Sequence, residues 1–109
     1  MKDFKSVKIP LLKHEFGYLI EPDKKKAIKI FDNYKHGDKN LTGTEACTFL
    51  LDGQSPLIWI KSKKDICSIA HEAVHAANGI LANLGIRAEY GNDEILAYLV
   101  EHIIKEIIK

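Results

Sequence analysis

The sequence predicts an α+β fold, a small sheet with a β-hairpin packed on helices. Three observations carry this expectation. Apolar residues recur at helical spacing in three separate segments, two β-rich runs flank an Asp-Gly turn, and two short strand candidates precede the first helix. At 109 residues the chain reads as a single domain, 1–109, with a modest core.

Residues 7–12 alternate loosely and contain Pro10, which suits an edge or irregular strand. Gly17-Tyr18-Leu19-Ile20 is the second strand candidate. Pro22 then stands where a first helical turn would begin, and Ala27, Ile28, Ile30, Phe31 and Tyr34 follow at helical spacing, with Gly37 as the stop. Residues 38–45 read as loop. The runs 46–51 and 56–60, joined through Asp52-Gly53-Gln54-Ser55, predict a hairpin. A strong helical pattern covers about 64–84 and closes at Gly85; a last helix covers about 92–108.

Sixteen basic and fifteen acidic residues leave a formal net charge of +1, which gives no electrostatic reason to expect a nucleic-acid or membrane partner. The lysine runs at Lys24-Lys25-Lys26 and within 61–64 read as solvated surface. No apolar h-region follows Met1-Lys2-Asp3-Phe4-Lys5, and no apolar stretch is long enough to span a bilayer, so the expected location is cytoplasmic. Cys47 and Cys67 lack zinc-ribbon or CxxC spacing and read as reduced core thiols.

The chemistry concentrates in His71-Glu72-Ala73-Val74-His75. Histidines four apart on a helix stand one turn apart on nearly one face, so both imidazoles can reach one ion. The intervening Glu72 is displaced round the helix, near enough to take a proton from water at the metal but away from direct ligation. In a shuffled sequence of this composition an HExxH appears about twice in a hundred, so context must support it. Ile66, Ile69, Ala70, Ala73, Val74, Ala77, Ile80, Leu81 and Leu84 wrap into one broad apolar face, and His71, His75 and Asn78 fall on a stripe beside it, where a cleft would be. Gly79 interrupts the helix, which suggests close approach by another segment.

A catalytic zinc needs a third protein ligand and an open fourth position. The metzincin pattern would need Gly at position 78 and His at position 81; Asn78 and Leu81 stand there. The gluzincin solution takes a Glu from a second helix some twenty residues downstream, where Asn92-Asp93-Glu94-Ile95-Leu96-Ala97-Tyr98 opens the last helix. His71-Glu72-x-x-His75 followed by Glu94-x-x-Ala97 resembles the small gluzincin-type metallopeptidases, including minimal single-domain members from bacteria and their phages. The likeness covers roughly residues 56–104. It implies a zincin-like fold with the HExxH on a central helix, Zn2+ as cofactor, Glu94 as third ligand on the last helix, and a small Ala97 that lets the two helices approach. Asp93 and Glu101 are the reserve ligands. Strand 57–60 or its hairpin partner would lie along the cleft.

The function so implied is hydrolysis of peptide bonds in a peptide or protein substrate, with Glu72 as general base. Tyr98, one turn beyond Glu94, is a candidate to orient a ligand or to donate to the oxyanion. His102 reads as a surface histidine, and His14 and His36 carry no partner spacing. Three rival readings share this sequence: a weakly active or inactive zincin-fold interaction module, a zinc hydrolase of a non-peptide ester or amide, and a structural zinc site, which would need four protein ligands.

Overall fold

The computed structural model describes residues 3–10, 12–33, 45–50, 53–87, 89, 91 and 93–109. Four strands and three helices follow in the order β1 (Lys5–Ile9), β2 (His14–Ile20), α1 (Lys24–Asn33), β3 (Ala46–Phe49), β4 (Leu57–Ile60), α2 (Ile66–Asn83) and α3 (Glu94–Ile108). The strands form one mixed sheet in the order β1-β2-β4-β3. β1 pairs with β2 and β3 with β4 in antiparallel fashion, while β2 and β4 run parallel at the centre with Gly17 opposite Leu57. The α+β expectation with a hairpin holds. Its strand candidates differ at the edges: β1 stops at Ile9, before Pro10 would interrupt the ladder, and β2 starts three residues earlier than its apolar core.

Both faces of the sheet are covered. On one face Phe16, Tyr18, Ile58 and Ile60 pack with Ile69, Ala73, Ala77 and Ile80 of α2 and Leu99, Ile103 and Ile107 of α3. On the other, Leu57, Trp59 and Phe49 pack with Phe4 and with Ala27 and Phe31 of α1. All four residues of β4 are buried, as an interior strand with covered faces requires. Trp59 is fully buried and satisfies its ring N–H on the Glu21 carbonyl at 2.9 Å. Truncating a core side chain of that size costs about 3–5 kcal/mol, so β4 is the most costly element to disturb. Gly17 belongs to this packing as well: a Cβ there would stand 3.0 Å from Leu57 and 3.3 Å from Phe4.

Carboxylates set the starts of α1 and α2. Asp23 caps α1 by accepting from the Lys25 amide at 2.9 Å, so the helix begins at Lys24 and Pro22 lies ahead of it rather than in its first turn. Tyr34 and Gly37, read as the end of this helix, lie outside the described residues, as does most of the loop 38–45. Asp65 caps α2, accepting from the Ser68 amide at 3.0 Å and the Ser68 hydroxyl at 2.6 Å.

The hairpin is fastened along α2 at successive levels. Thr48 meets Glu72; Leu50 meets Gly79, where an added Cβ would lie 2.5 Å from the Leu50 methyl; and Gly53 and Gln54 are held by the Asn83 amide at 3.1 and 2.7 Å. The approach inferred at Gly79 is therefore made by Leu50. Helix α3 packs antiparallel to α2. Residues 84–93 join the end of one to the start of the other, and the Lys63 ammonium, just before α2, donates to the carbonyl of Lys109, just after α3. No helix among the described residues is long and apolar enough to cross a membrane.

The two Ser68 contacts, the hydroxyl foremost, hold the Asp65 carboxyl below its ordinary value. A carboxyl that is more acidic folded than unfolded stabilises above the unfolded value, near 3.9, and ceases to do so as pH falls through the folded one. Asp65→Ala is expected to melt below the parent chain at pH 7, and the gap should close on titration to about pH 2. Thermal melts across that range check it; a constant gap would disprove the role given to the carboxylate.

Candidate metal centre

Helix α2 supplies the centre of the site. Its Ile69, Ala73, Ala76, Ala77, Ile80 and Leu81 are buried, which turns the opposite stripe to solvent and leaves His71 and His75 exposed on it. The expected apolar face is narrower than its sequence pattern, since Ile66, Val74 and Leu84 are exposed. The two imidazole Nε2 atoms converge to 3.3 Å, with ring planes 73° apart. Two nitrogen donors 2.0–2.1 Å from a tetrahedral zinc stand about 3.3–3.4 Å apart. The pair therefore fits the edge of a zinc coordination tetrahedron.

Glu72 lies between them in sequence but faces the sheet, and at 7 % exposure it is the buried acidic residue of the core. The Thr48 hydroxyl of β3 donates to its Oε1 at 2.7 Å and also stands 3.1 Å from its backbone carbonyl oxygen. Oε2 lies 3.9 Å from His71 Nε2. One carboxylate oxygen is thus tied to the strand while the other borders the histidine pair. The cleft beside them, about 300 Å³, is lined by Glu45, Ala46, Cys67, Ser68, His71 and Glu72. Larger hollows lie beside the β1–β2 turn and along α3, about 450 and 560 Å³, and neither includes the histidines.

The structure brings together His71, His75 and Glu72. Glu94 is exposed in the first turn of α3, where a carboxylate is favoured by the helix dipole. Helix α3 runs antiparallel to α2, so its first turn follows the connection that leaves the C-terminal end of α2. Glu101, the reserve ligand two turns further along α3, is exposed. It pairs with Lys105 at 2.7 Å, and the Lys105 ammonium holds its carboxyl below the ordinary range. Among the described residues no three His, Cys, Asp or Glu side chains form a group able to hold a metal.

Tyr98 is 41 % exposed and stacks on His102, with ring centroids 6.1 Å apart and planes 15° apart. His102 is half-buried rather than a surface histidine, and its Nε2 has no hydrogen-bond partner among the described residues. His14 opens β2, with Nε2 3.4 Å from the Asn83 amide nitrogen; His36 lies outside the described residues. Cys67 is exposed, lining the cleft rather than the core, and Cys47 is half-buried on the α1 face. Thr48 is the site residue that sequence reasoning missed. Its one signal was an inward-facing polar residue in an otherwise apolar run beginning at Ala46.

No protein-family model matches this chain, and neither a curated protein nor a solved structure does.

The Nε2 convergence leads to an expected stoichiometry of one Zn2+ per chain. Both His71→Ala and His75→Ala should weaken zinc binding by roughly two orders of magnitude or more, since each removes one of few donors. Titration with a competing zinc chelator measures this. Full-strength binding by either variant would show that the pair is not the ligand set.

Proposed function

We propose that the chain is a zinc-dependent peptidase of the HExxH type, with Glu72 as its general base. The observation that carries the proposal is the convergence of His71 and His75 Nε2 at tetrahedral-edge distance beside a buried, hydrogen-bonded carboxylate. A purely structural metal site has no use for such a base. His71 and His75 would hold the ion; zinc, when bound, supplies a Lewis acid and lowers the pKa of water to near neutrality.

The remaining work falls to the chain's own groups. Glu72 Oε2, the oxygen not engaged by Thr48, takes a proton from the water that attacks the scissile carbonyl and delivers it to the departing amine. Among the described residues β3 is an edge strand of the sheet, so an extended substrate backbone can pair along its outer edge beside the cleft. The resemblance to gluzincins supports the same activity and assigns the third ligand to Glu94. Asp93 and Glu101 stand in reserve.

Two experiments test this function. Glu72→Gln keeps size and hydrogen bonding but removes the base. Zinc binding should change little, while hydrolysis of a denatured protein substrate should fall by a factor on the order of 10² or more. Release of zinc by Glu72→Gln would make Glu72 a ligand, and intact hydrolysis would assign the base elsewhere. In the second, zinc affinity is compared for Glu94→Ala and Glu101→Ala. The larger loss is expected for Glu94→Ala; a larger loss for Glu101→Ala would move the third ligand to that reserve.

A further inference from the structure

We propose that Thr48 is a positioning residue that fixes which oxygen of Glu72 faces the histidines and couples that aim to strand β3. The inference deepens the assignment of Glu72 as base and rests on it. Its own footing is the bond between the Thr48 hydroxyl and Glu72 Oε1, 2.7 Å long and part-buried, joining residues 24 positions apart in sequence.

A glutamate side chain on a helix is free to turn about its terminal bonds, and a carboxylate next to two imidazoles can act as base or swing in as a ligand. The Thr48 hydroxyl removes that freedom. With Oε1 engaged by the strand, Oε2 is the oxygen that stands 3.9 Å from His71 Nε2. Ala46 and Thr48 alternate with Cys47 and Phe49, so Thr48 faces α2 while its neighbours pack toward α1. The strand on which an extended substrate would pair is thus the one that aims the base, and its displacement moves the carboxylate with it.

Thr48→Val and Thr48→Ser separate this role from packing. Valine keeps the branched shape and loses the hydroxyl; serine keeps the hydroxyl and loses the methyl. For a positioning hydroxyl, kcat on a peptide substrate should fall about tenfold in Thr48→Val with KM within about twofold, and Thr48→Ser should recover most of it. A packing role reverses the order, serine being the damaging change. A second readout needs neither zinc nor substrate: the ¹³C resonance of the Glu72 carboxyl in metal-free protein should move or broaden in Thr48→Val and keep its position in Thr48→Ser. An unchanged resonance, or unchanged kcat, in Thr48→Val overturns the positioning role. A parent chain that loads zinc and cleaves nothing overturns the peptidase function instead, and the carboxyl resonance still decides whether Thr48 holds Glu72.

Discussion

Strand β4 is where the structure's constraints meet. Four residues, Leu57–Ile60, pair on both edges and bury both faces, Leu57 and Trp59 toward α1, Ile58 and Ile60 toward α2 and α3. The two cores are separate clusters, so β4 is their shared wall. Five residues separate it from α2, which Asp65 caps, so the location of the strand dictates where the histidine-bearing helix enters. The hairpin partner β3 is placed by the same pairing, and with it Thr48 opposite Ile58.

The site follows from an angular property of α2. Successive residues of a helix are turned by about 100°, so a helix that buries Ala73 and Ala76 against the sheet must send His71 and His75 to the outside. Position 72 is then carried to the flank where β3 passes. A carboxylate buried there without a partner would be destabilising by about 1–3 kcal/mol or more; the Thr48 hydroxyl removes that cost and gives the carboxylate a fixed orientation. Burial, the hydrogen bond and the exposed histidine pair are three consequences of one packing decision.

Much of this was legible in the residues. The period-3.6 pattern of Ile69, Ala73, Ala77 and Ile80 marked the buried face, the spacing of His71 and His75 marked the pair, and Gly79 marked a close approach. What was not legible depends on distance across the fold. Helix direction cannot be read from the spacing between His75 and Glu94, because the same nineteen residues place Glu94 near or far according to where the connecting loop lies. Ten of them, 84–93, connect α2 to α3. Thr48 was hidden for a related reason: its partner is across the sheet–helix interface, and a threonine in a strand is ordinary. Cys67 was misplaced because one turn along α2 from His71 is also off the apolar face, and the thiol follows the histidine outward.

The mixed sheet bears on how the chain reaches this state. Two of its pairings are local: β1 meets β2 across a few residues, and β3 meets β4 across the connection 50–56. The central parallel pairing is different, since it sets Gly17 against Leu57, forty positions away. Closing that span costs chain entropy before any contact in either core is gained. Two hairpins can form early and independently, yet neither has a covered face until they dock, and α2 has no surface to pack on before then. Docking of β2 against β4 is therefore the expected barrier to folding, and substitutions at Gly17 or Leu57 would slow folding, whereas changes on the exposed stripe of α3 would not.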